Sequence, residues 1–555
     1  MIKTDSAAEQ PAPSPNMISR RGVFALAGAS AAIAAAPATA RGFGSGFTHG
    51  VASGEPHAGR VLLWTRYVAD AETVLEWQVS ESADFSRTVS EGQIIASPDR
   101  DFCAKTIANG LTPDRWYFYR FVAPDGTTSM TGRTRTLPEG PSARFRMAVF
   151  SCSNFGFGWF NAYAHAAEAN DCDLAVHLGD YIYEYGGGTY PSGDQRHPER
   201  TLEPAEEIVA LADYRLRYAT YRADPDLQRL HQVLPMIAVW DDHESANDSW
   251  EGGAQNHQSD SEGIWDARKA IAKRVYREWM PVSDEPYAAY EVGDLATLFR
   301  LDTRLEGREE QFNIGKVIEG RENPQAMVAA LAAFRAGDYA DAERQLLGAA
   351  QEEWLGEGLA VSKARGATWQ VLVQQVLMGK LSSPSGLVEL LGDNVPDFAR
   401  RRLQAAALAE RAGLPLNMDA WDGYPAARDR LFESALSADA NLLVLAGDTH
   451  NGWGFDLSHE GERVGVELGV CSVSSPGFET YLSAIPPERM ASMLVETNDE
   501  LKWADTSNRG YMVVELTPSA ATTEYRFLAG IRQRSTRLAG TKRAVNSAGA
   551  KQLEV

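Results

Sequence analysis

The sequence is poor in cysteine and has no long hydrophobic run. Its 555 residues include four cysteines, whose spacing matches neither a CxxC zinc site nor a dense disulfide framework. One disulfide stays open as an alternative, but the sequence does not pair the thiols. No segment reaches the roughly 20 apolar residues that a transmembrane helix needs, so we expect no transmembrane anchor. The cysteines are Cys103, Cys152, Cys172 and Cys471.

Basic residues are scarce relative to acidic ones. Lys and Arg total 53 against 75 Asp and Glu, which gives a formal net charge of −22. A chain this acidic repels the phosphate backbone, so we expect no nucleic-acid-binding surface. The apolar fraction of 44% is ordinary for a globular protein, and the length predicts two or more domains.

Residues 1–40 have the pattern of an export signal. Arg20 and Arg21 precede an alanine-rich apolar stretch, and residues 38–40, Ala-Thr-Ala, supply a small-x-small cleavage site. Paired arginines at this place are typical of twin-arginine export. We therefore expect the twin-arginine translocase as a partner and a periplasmic or secreted mature protein. An alanine-rich helix of a cytoplasmic protein is the alternative.

Two regions of different pattern follow. Residues 45–138 contain short segments rich in β-branched and aromatic residues, separated by turn signals, which predicts a small all-β, fibronectin-like sandwich. After a linker with proline and glycine, residues 142–540 alternate apolar strands with helical stretches, which predicts an α/β catalytic domain. Residues 541–555 are small and polar, and we expect them to form a flexible tail.

Four apolar strands of the α/β region each end in side chains that can bind metal. Ligands of open α/β sheets bind at the carboxyl ends of the strands, so these side chains are expected to meet. Any one aspartate here could be a helix N-cap instead, but recurrence at four strand ends favours a metal site. The strands and their following residues are 145–150 with Cys152, 174–178 with Asp180 and Tyr183, 236–240 with Asp242 and His243, and 442–446 with Asp448 and His450.

These blocks together resemble the PhoD-type alkaline phosphatases, a branch of the calcineurin-like metallophosphoesterases. The resemblance is carried by Cys152 and by the segments 179–183 (Gly-Asp-Tyr-Ile-Tyr), 240–244 (Trp-Asp-Asp-His-Glu) and 447–450 (Gly-Asp-Thr-His). The wider superfamily pattern has Asp at Cys152, Asn at Asp242 and His at Asp448, and these departures fit this branch. The resemblance spans nearly the whole chain and implies an αββα metallophosphoesterase sandwich after the β-sandwich.

The resemblance also implies iron and calcium in one site. The implied ligands are Cys152, Tyr183 and His450 for Fe³⁺, Asp180 as the bridge, and Asp242 and Asp448 for Ca²⁺. Thiolate and phenolate are strong donors that suit a trivalent iron. Two carboxylates in place of neutral Asn and His favour a hard cation that binds oxygen, which is the reason to expect calcium rather than zinc.

Such a site implies hydrolysis of phosphate esters, as in an alkaline phosphatase with monoesterase and diesterase activity. It would lower the pKa of a bound water, neutralise charge on the phosphoryl oxygens and orient the ester. His243, beside Asp242, is the expected proton donor to the leaving group, and support of the ligands is its alternative role. The alternative functions are a narrower phosphodiesterase or phospholipase D acting on lipid head groups or cell-wall polymers, and a non-catalytic phosphate or metal binder.

Asn154 and Arg304 are further candidates for contact with phosphate. Arg304 ends the segment Asp302-Thr303-Arg304, and an Asp-x-Arg pair more often forms a buried salt bridge. The sequence leaves both roles open for Arg304.

Overall fold

The computed structural model describes residues 43–390 and 397–555. The predicted export signal, residues 1–40, lies outside the described residues. In the part that is described, no helix combines the length and the apolar character needed to cross a membrane.

An all-β domain comes first, as the sequence predicts. Its strands are β1 (Gly46–Gly54), β2 (Arg60–Val68), β3 (Thr73–Ser80), β4 (Thr88–Ala96), β5 (Cys103–Asn109), β6 (Trp116–Val122) and β7 (Gly132–Arg135). Strands β4-β3-β6-β7 form one sheet and face β1, β2 and β5. Alternate residues of β3, such as Trp77 and Val79, pack against Val61 and Leu63 of β2. This period of two buries one face of each sheet in a sandwich core.

The α/β region adds two large sheets. Its strands are β8 (Phe145–Phe150), β9 (Leu174–His177), β10 (Met236–Ala238), β11 (Ser249–Trp250), β12 (Gly253–Ala254), β13 (Ala288–Val292), β14 (Ala296–Arg300), β15 (Trp369–Val373), β16 (Leu442–Ala446), β17 (Gly452–His459), β18 (Glu462–Gly469), β19 (Leu501–Asp505), β20 (Gly510–Leu516), β21 (Ala520–Leu528), β22 (Leu538–Ser547) and β23 (Leu553–Glu554). One sheet has the order β23-β22-β21-β20-β8-β9-β10-β1-β2-β5 and the other β13-β14-β15-β16-β18-β17-β19. Strands β8, β9 and β10 are parallel, as are β14, β15, β16 and β18.

Helices cover the outer face of each large sheet, which gives the αββα sandwich that the sequence predicts. The helices are α1 (Asn161–Ala169), α2 (Leu211–Arg222), α3 (Pro225–Val233), α4 (Ser259–Glu262), α5 (Trp265–Trp279), α6 (Ile314–Ile318), α7 (Pro324–Ala336), α8 (Ala349–Ala364), α9 (Asp397–Arg411), α10 (Pro425–Ser437), α11 (Phe478–Tyr481) and α12 (Pro487–Thr497). Val149 and Val371 lie in the core between the sheets. Phe150 and Leu372, one residue further on, pack outwards with the helices. Burial on both faces explains why these strands are continuously apolar.

The N-terminal domain shares a sheet with the catalytic domain, a connection that the sequence does not predict. Strand β1 pairs in parallel with β10 through Gly54 and Met236, and the N–H of Glu55 donates to the Met236 carbonyl at 3.0 Å. A Cβ at position 54 would lie 2.0 Å from the carbonyl oxygen of Pro281, so only glycine fits there. The pairing covers an edge of β10 that would otherwise stay exposed.

The expectation of a flexible tail is wrong. Residues 541–555 include most of β22, which pairs along its length with β21, and the whole of β23. Leu553 is buried between the two large sheets, and its N–H donates to Asp456 at 2.8 Å. Strands at the edge of a sheet contact water and can consist of small polar residues. Composition alone therefore does not distinguish such strands from a flexible tail.

Leu553→Ala should destabilise the protein, because it removes a buried side chain from the core between the sheets. The free energy of unfolding should fall by about 2 kcal/mol, the lower end of the range for buried Leu→Ala changes, and the thermal unfolding midpoint should fall with it. Val555→Ala is the control, since that side chain is 48% exposed. Equal midpoints for the two variants would show that β23 does not pack in solution.

Candidate metal centre

The carboxyl ends of the parallel strands meet at one edge of the sandwich, and the predicted site residues meet there. Among the described residues, three overlapping groups have all their donor atoms within 4.8 Å of one another. The groups are Cys152, Asp180 and His450; Asp180, Asp242 and His243; and Asp241, Asp242 and Asp448. Tyr183 joins the first group, because its hydroxyl donates to Asp180 at 3.0 Å. The fold therefore brings together the six predicted metal ligands and His243.

One side of the centre carries the softer donors. The Tyr183 hydroxyl lies 3.1 Å from Nε2 of His450 and accepts from the Ser475 hydroxyl at 2.7 Å. Burial raises the pKa of the Cys152 thiol and of the Tyr183 phenol, and the neighbouring Asp180 carboxylate raises each further. Without a cation both groups keep their protons at neutral pH, and a bound metal would displace them.

His450 has the tautomer that a metal ligand needs. Its Nδ1 lies 2.7 Å from the carbonyl oxygen of Pro476, which can only accept, so Nδ1 carries the proton. Nε2 keeps its lone pair and faces Tyr183. Burial lowers the pKa of His450 to about 3, so the ring is neutral. A neutral imidazole whose far nitrogen is anchored to the backbone is the usual arrangement of a metal-binding histidine.

The other side of the centre carries carboxylates. Asp242 accepts the backbone N–H of His243 at 2.9 Å on one oxygen and that of Asp248 at 2.6 Å on the other. Burial alone would raise the pKa of Asp242, but the charges of His243 and Arg304 hold it well below its usual value. Burial raises the pKa of Asp180 well above its usual value. The two neighbouring carboxyls therefore differ in acidity, with the pKa of Asp180 raised and that of Asp242 lowered.

A buried arginine balances part of this negative charge. The guanidinium of Arg304 is fully buried and pairs with Asp241, with Asp419 at 2.7 Å and with Asp448 at 3.3 Å. Burial raises the pKa of Asp241 to about 8 and that of Asp448 to about 7, while Arg304 opposes both shifts. Of the two roles that the sequence leaves open for Arg304, these contacts favour the salt bridge.

The ligands lie in tight turns with an unusual backbone. Left-handed φ angles occur at Cys152 (60°), Asp180 (54°), Asp448 (62°) and His450 (65°). For residues other than glycine this conformation costs on the order of 1–3 kcal/mol each. Gly179 precedes Asp180 in such a turn, and a Cβ there would lie 2.4 Å from the Cβ of Asp241. The strain brings side chains from different strands within reach of one another.

Glu244 ties two of these turns together, although sequence reasoning assigns it no role. Its carboxylate accepts the backbone N–H groups of Asp180 at 3.1 Å, Tyr181 at 2.6 Å and Asp241 at 2.8 Å. Burial raises the pKa of Glu244 to about 8, and the three donors oppose that shift. One side chain thus fixes the turn after β9 against the turn after β10. Its place in the Asp-Asp-His-Glu block is the signal that the sequence offers.

His243 lies beside the carboxylates with one ring nitrogen already occupied. Its Nδ1 lies 2.7 Å from the Glu184 carboxylate, which also accepts the Asn247 N–H at 2.8 Å. Burial opposes a charge on the ring, but Asp242 and the other carboxylates raise the pKa of His243 well above its usual value. Nε2 is therefore the nitrogen that can serve a substrate. Sequence reasoning missed Glu184, although it directly follows Tyr183.

The donor set fits bound cations. Oδ1 of Asp180 and Oδ2 of Asp241 are buried and accept no hydrogen bond from the described residues. A buried carboxylate oxygen without a partner is costly unless a cation lies next to it. Thiol, phenol and imidazole on one side suit iron(III), and carboxylates on the other suit calcium. The residues present therefore fit the two metals that the resemblance implies.

Comparisons with known proteins agree with this fold. The sequence model of the PhoD-like phosphatase family matches residues 147–525. The family model of the PhoD-like phosphatase N-terminal domain matches residues 32–138. Alkaline phosphatase D from Bacillus subtilis (strain 168) is 31% identical over 509 residues, which covers 87% of this chain and 77% of that protein. A solved structure described as "Structure of PhoD" is 28% identical, covers 91% of each chain and has a TM-score of 0.73. With both domains matched in order and the strand-end residues brought together, this chain belongs to the PhoD-like phosphatase family and is a phosphoric ester hydrolase.

Proposed function

We propose that this chain hydrolyses phosphate monoesters and diesters outside the cytoplasm, with Fe³⁺ and Ca²⁺ as its cofactors. The observation that carries the proposal is the division of donors around Asp180, softer groups on one side and carboxylates on the other. The expected twin-arginine signal in residues 1–40 supports export. Phosphate esters are the substrates that the family implies.

The chain offers each metal a separate set of ligands. We assign Cys152, Tyr183 and His450 to Fe³⁺, Asp180 to both metals, and Asp242 and Asp448 to Ca²⁺. When bound, the two ions supply an activated water and neutralise charge on the phosphoryl oxygens. Arg304 already pairs with Asp448, so the protein itself contributes one of the positive charges of the site.

His243 supplies the proton that the leaving group needs. Cleavage of an alkyl ester expels an alkoxide, which leaves poorly unless it is protonated as the P–O bond breaks. The carboxylates around His243 raise its pKa, and Glu184 occupies Nδ1, which leaves Nε2 for a substrate. Glu184 acts as a positioning residue, because it fixes the ring without reaching the substrate.

Metal analysis combined with rates on a nitrophenyl monoester and a bis(nitrophenyl) diester tests the proposal. We expect iron and calcium, a visible absorption band from thiolate and phenolate bound to iron(III), and hydrolysis of both esters. Tyr183→Phe should change the band, whereas Cys172→Ala, a buried thiol outside the centre, should leave it intact. A colourless, active enzyme with zinc and no iron would refute the metal assignment. Hydrolysis of the diester alone would favour the narrower phosphodiesterase.

Removal of calcium with a calcium-selective chelator should abolish activity, and added calcium should restore it. The reason is the oxygen-rich set Asp180, Asp242 and Asp448, which suits calcium and offers zinc no nitrogen or sulfur. The measurement is the rate on nitrophenyl phosphate before chelation, after chelation, and after calcium or zinc is added back. Full activity after prolonged chelation would count against a calcium site.

His243→Ala should lower kcat by about 10²- to 10⁴-fold on alkyl phosphates, the usual range for loss of a general acid. Nitrophenolate leaves without a proton, so the rate on nitrophenyl phosphate should fall far less. Metal content, measured by elemental analysis, should stay near that of the unmodified enzyme.

Asp242→Ala is the contrasting variant for His243. It removes a proposed calcium ligand, so metal content and both activities should fall together. Equal losses on the two substrates together with loss of metal in His243→Ala would make His243 a ligand or its support rather than the acid.

A further inference from the structure

Aromatic side chains line the side of the centre on which His243 lies. The His243 ring is 4.2 Å from the Tyr183 ring and 5.4 Å from the Tyr185 ring, measured between centroids, and its plane is tilted by 31° and 58° from theirs. Tyr190 lies 5.9 Å from Tyr183 and 5.7 Å from Tyr185. Tyr183 is buried, whereas Tyr185 and Tyr190 are only partly buried and reach solvent. Two partly exposed rings thus lie beside the proposed proton donor, Tyr185 in contact with His243 and Tyr190 in contact with Tyr185.

The orientation of His243 fixes where a leaving group must depart. Because Glu184 holds Nδ1 at 2.7 Å, the leaving oxygen takes its proton from Nε2. The organic part of the ester must then pass the rings that flank the imidazole. Tyr185 is the ring in direct contact on the outer side.

Neighbouring residues hold Tyr190 in place. Its ring packs edge to face on Phe157 at 4.9 Å, and its hydroxyl lies 3.4 Å from that of Tyr481. These contacts join the loop after β9 to the segments of residues 155–157 and 478–481. Because these contacts already restrict the Tyr190 side chain, it loses little conformational entropy when the aromatic ring of a ligand packs against it. This favours a role for Tyr190 in binding aromatic groups.

A planar leaving group at this place would meet the apolar faces of the Tyr185 and Tyr190 rings, which lie 5.7 Å apart between centroids.

We propose that Tyr185 and Tyr190 form a leaving-group subsite that selects phosphate esters of aromatic alcohols. The proposal rests on the proposed function, because it needs His243 as the proton donor. The two rings act as specificity-determining residues. Edge-to-face or offset contacts with an aromatic leaving group are worth roughly a factor of 2 to 10 beyond the area they bury.

The test compares phenyl phosphate with 2-naphthyl phosphate on the metal-loaded full chain. The two leaving groups are similar in acidity and differ by one fused ring, so the ratio of their kcat/KM values reports contact with that ring. We expect the ratio to favour naphthyl in the unmodified enzyme and to fall about 5-fold in Tyr185→Leu or Tyr190→Leu. Tyr185→Phe keeps the ring and should keep the ratio. Tyr287→Leu is the control, because Tyr287 packs on Trp354 and is not part of the centre.

Two further measurements separate the outcomes. The inhibition constant of inorganic phosphate and the melting midpoint should stay unchanged in Tyr185→Leu, which shows that the fold and the metal site are intact. An unchanged naphthyl-to-phenyl ratio in both leucine variants would overturn the subsite. So would a loss in Tyr185→Leu that is confined to choline phosphate, because the rings would then bind a cation. If the metal-loaded enzyme hydrolyses neither ester, the proposed function itself fails.

Discussion

The concentration of buried negative charge at one edge of the sandwich is the constraint on which the site depends. Asp180, Asp241 and Asp242 are buried, and Asp448 lies partly buried beside them. Like charges at such distances cannot all ionise without cations. The fold supplies the guanidinium of Arg304, which reaches two of these carboxylates, and the ring of His243, whose pKa the carboxylates raise. A metal that binds here would displace protons from its ligands.

The two-sheet architecture is what allows this charge to be gathered. Parallel strands from both sheets end at the same edge, so the turn that carries Asp180 comes from one sheet and the turn that carries Asp448 from the other. Two of the three donor groups combine residues from both sheets. Glu244 and Arg304 then cross-link the turns, Glu244 through backbone N–H groups and Arg304 through ion pairs. These rigid turns, with their strained backbone conformations, hold the thiol, phenol and imidazole groups in fixed positions relative to the carboxylates.

The sequence predicts the parts of this structure that depend on local pattern. Each apolar strand and the candidate ligand that follows it lie within a few residues of each other. The fold class and the candidate site residues, from Cys152 to His450, can therefore be predicted from this local pattern together with the family resemblance. The contacts of Glu184 and Arg304 join positions far apart in the chain, and no short window contains both partners. The same reason explains the error at residues 541–555. Their pairing with β21 depends on register between strands, which composition does not record.

The position of β8 in the sheet has a consequence for biosynthesis. Strand β8, which leads to Cys152, pairs with β9 on one side and with β20 on the other, where Met147 meets Val514. The carbonyl oxygen of Ser151, the residue before Cys152, also accepts a hydrogen bond from the N–H of Val473 at 2.9 Å. A chain still emerging from the ribosome lacks these partners, so the centre closes only when nearly all of the polypeptide exists. Any metal that the complete centre binds would then be bound late, because a half-made chain lacks part of the donor set.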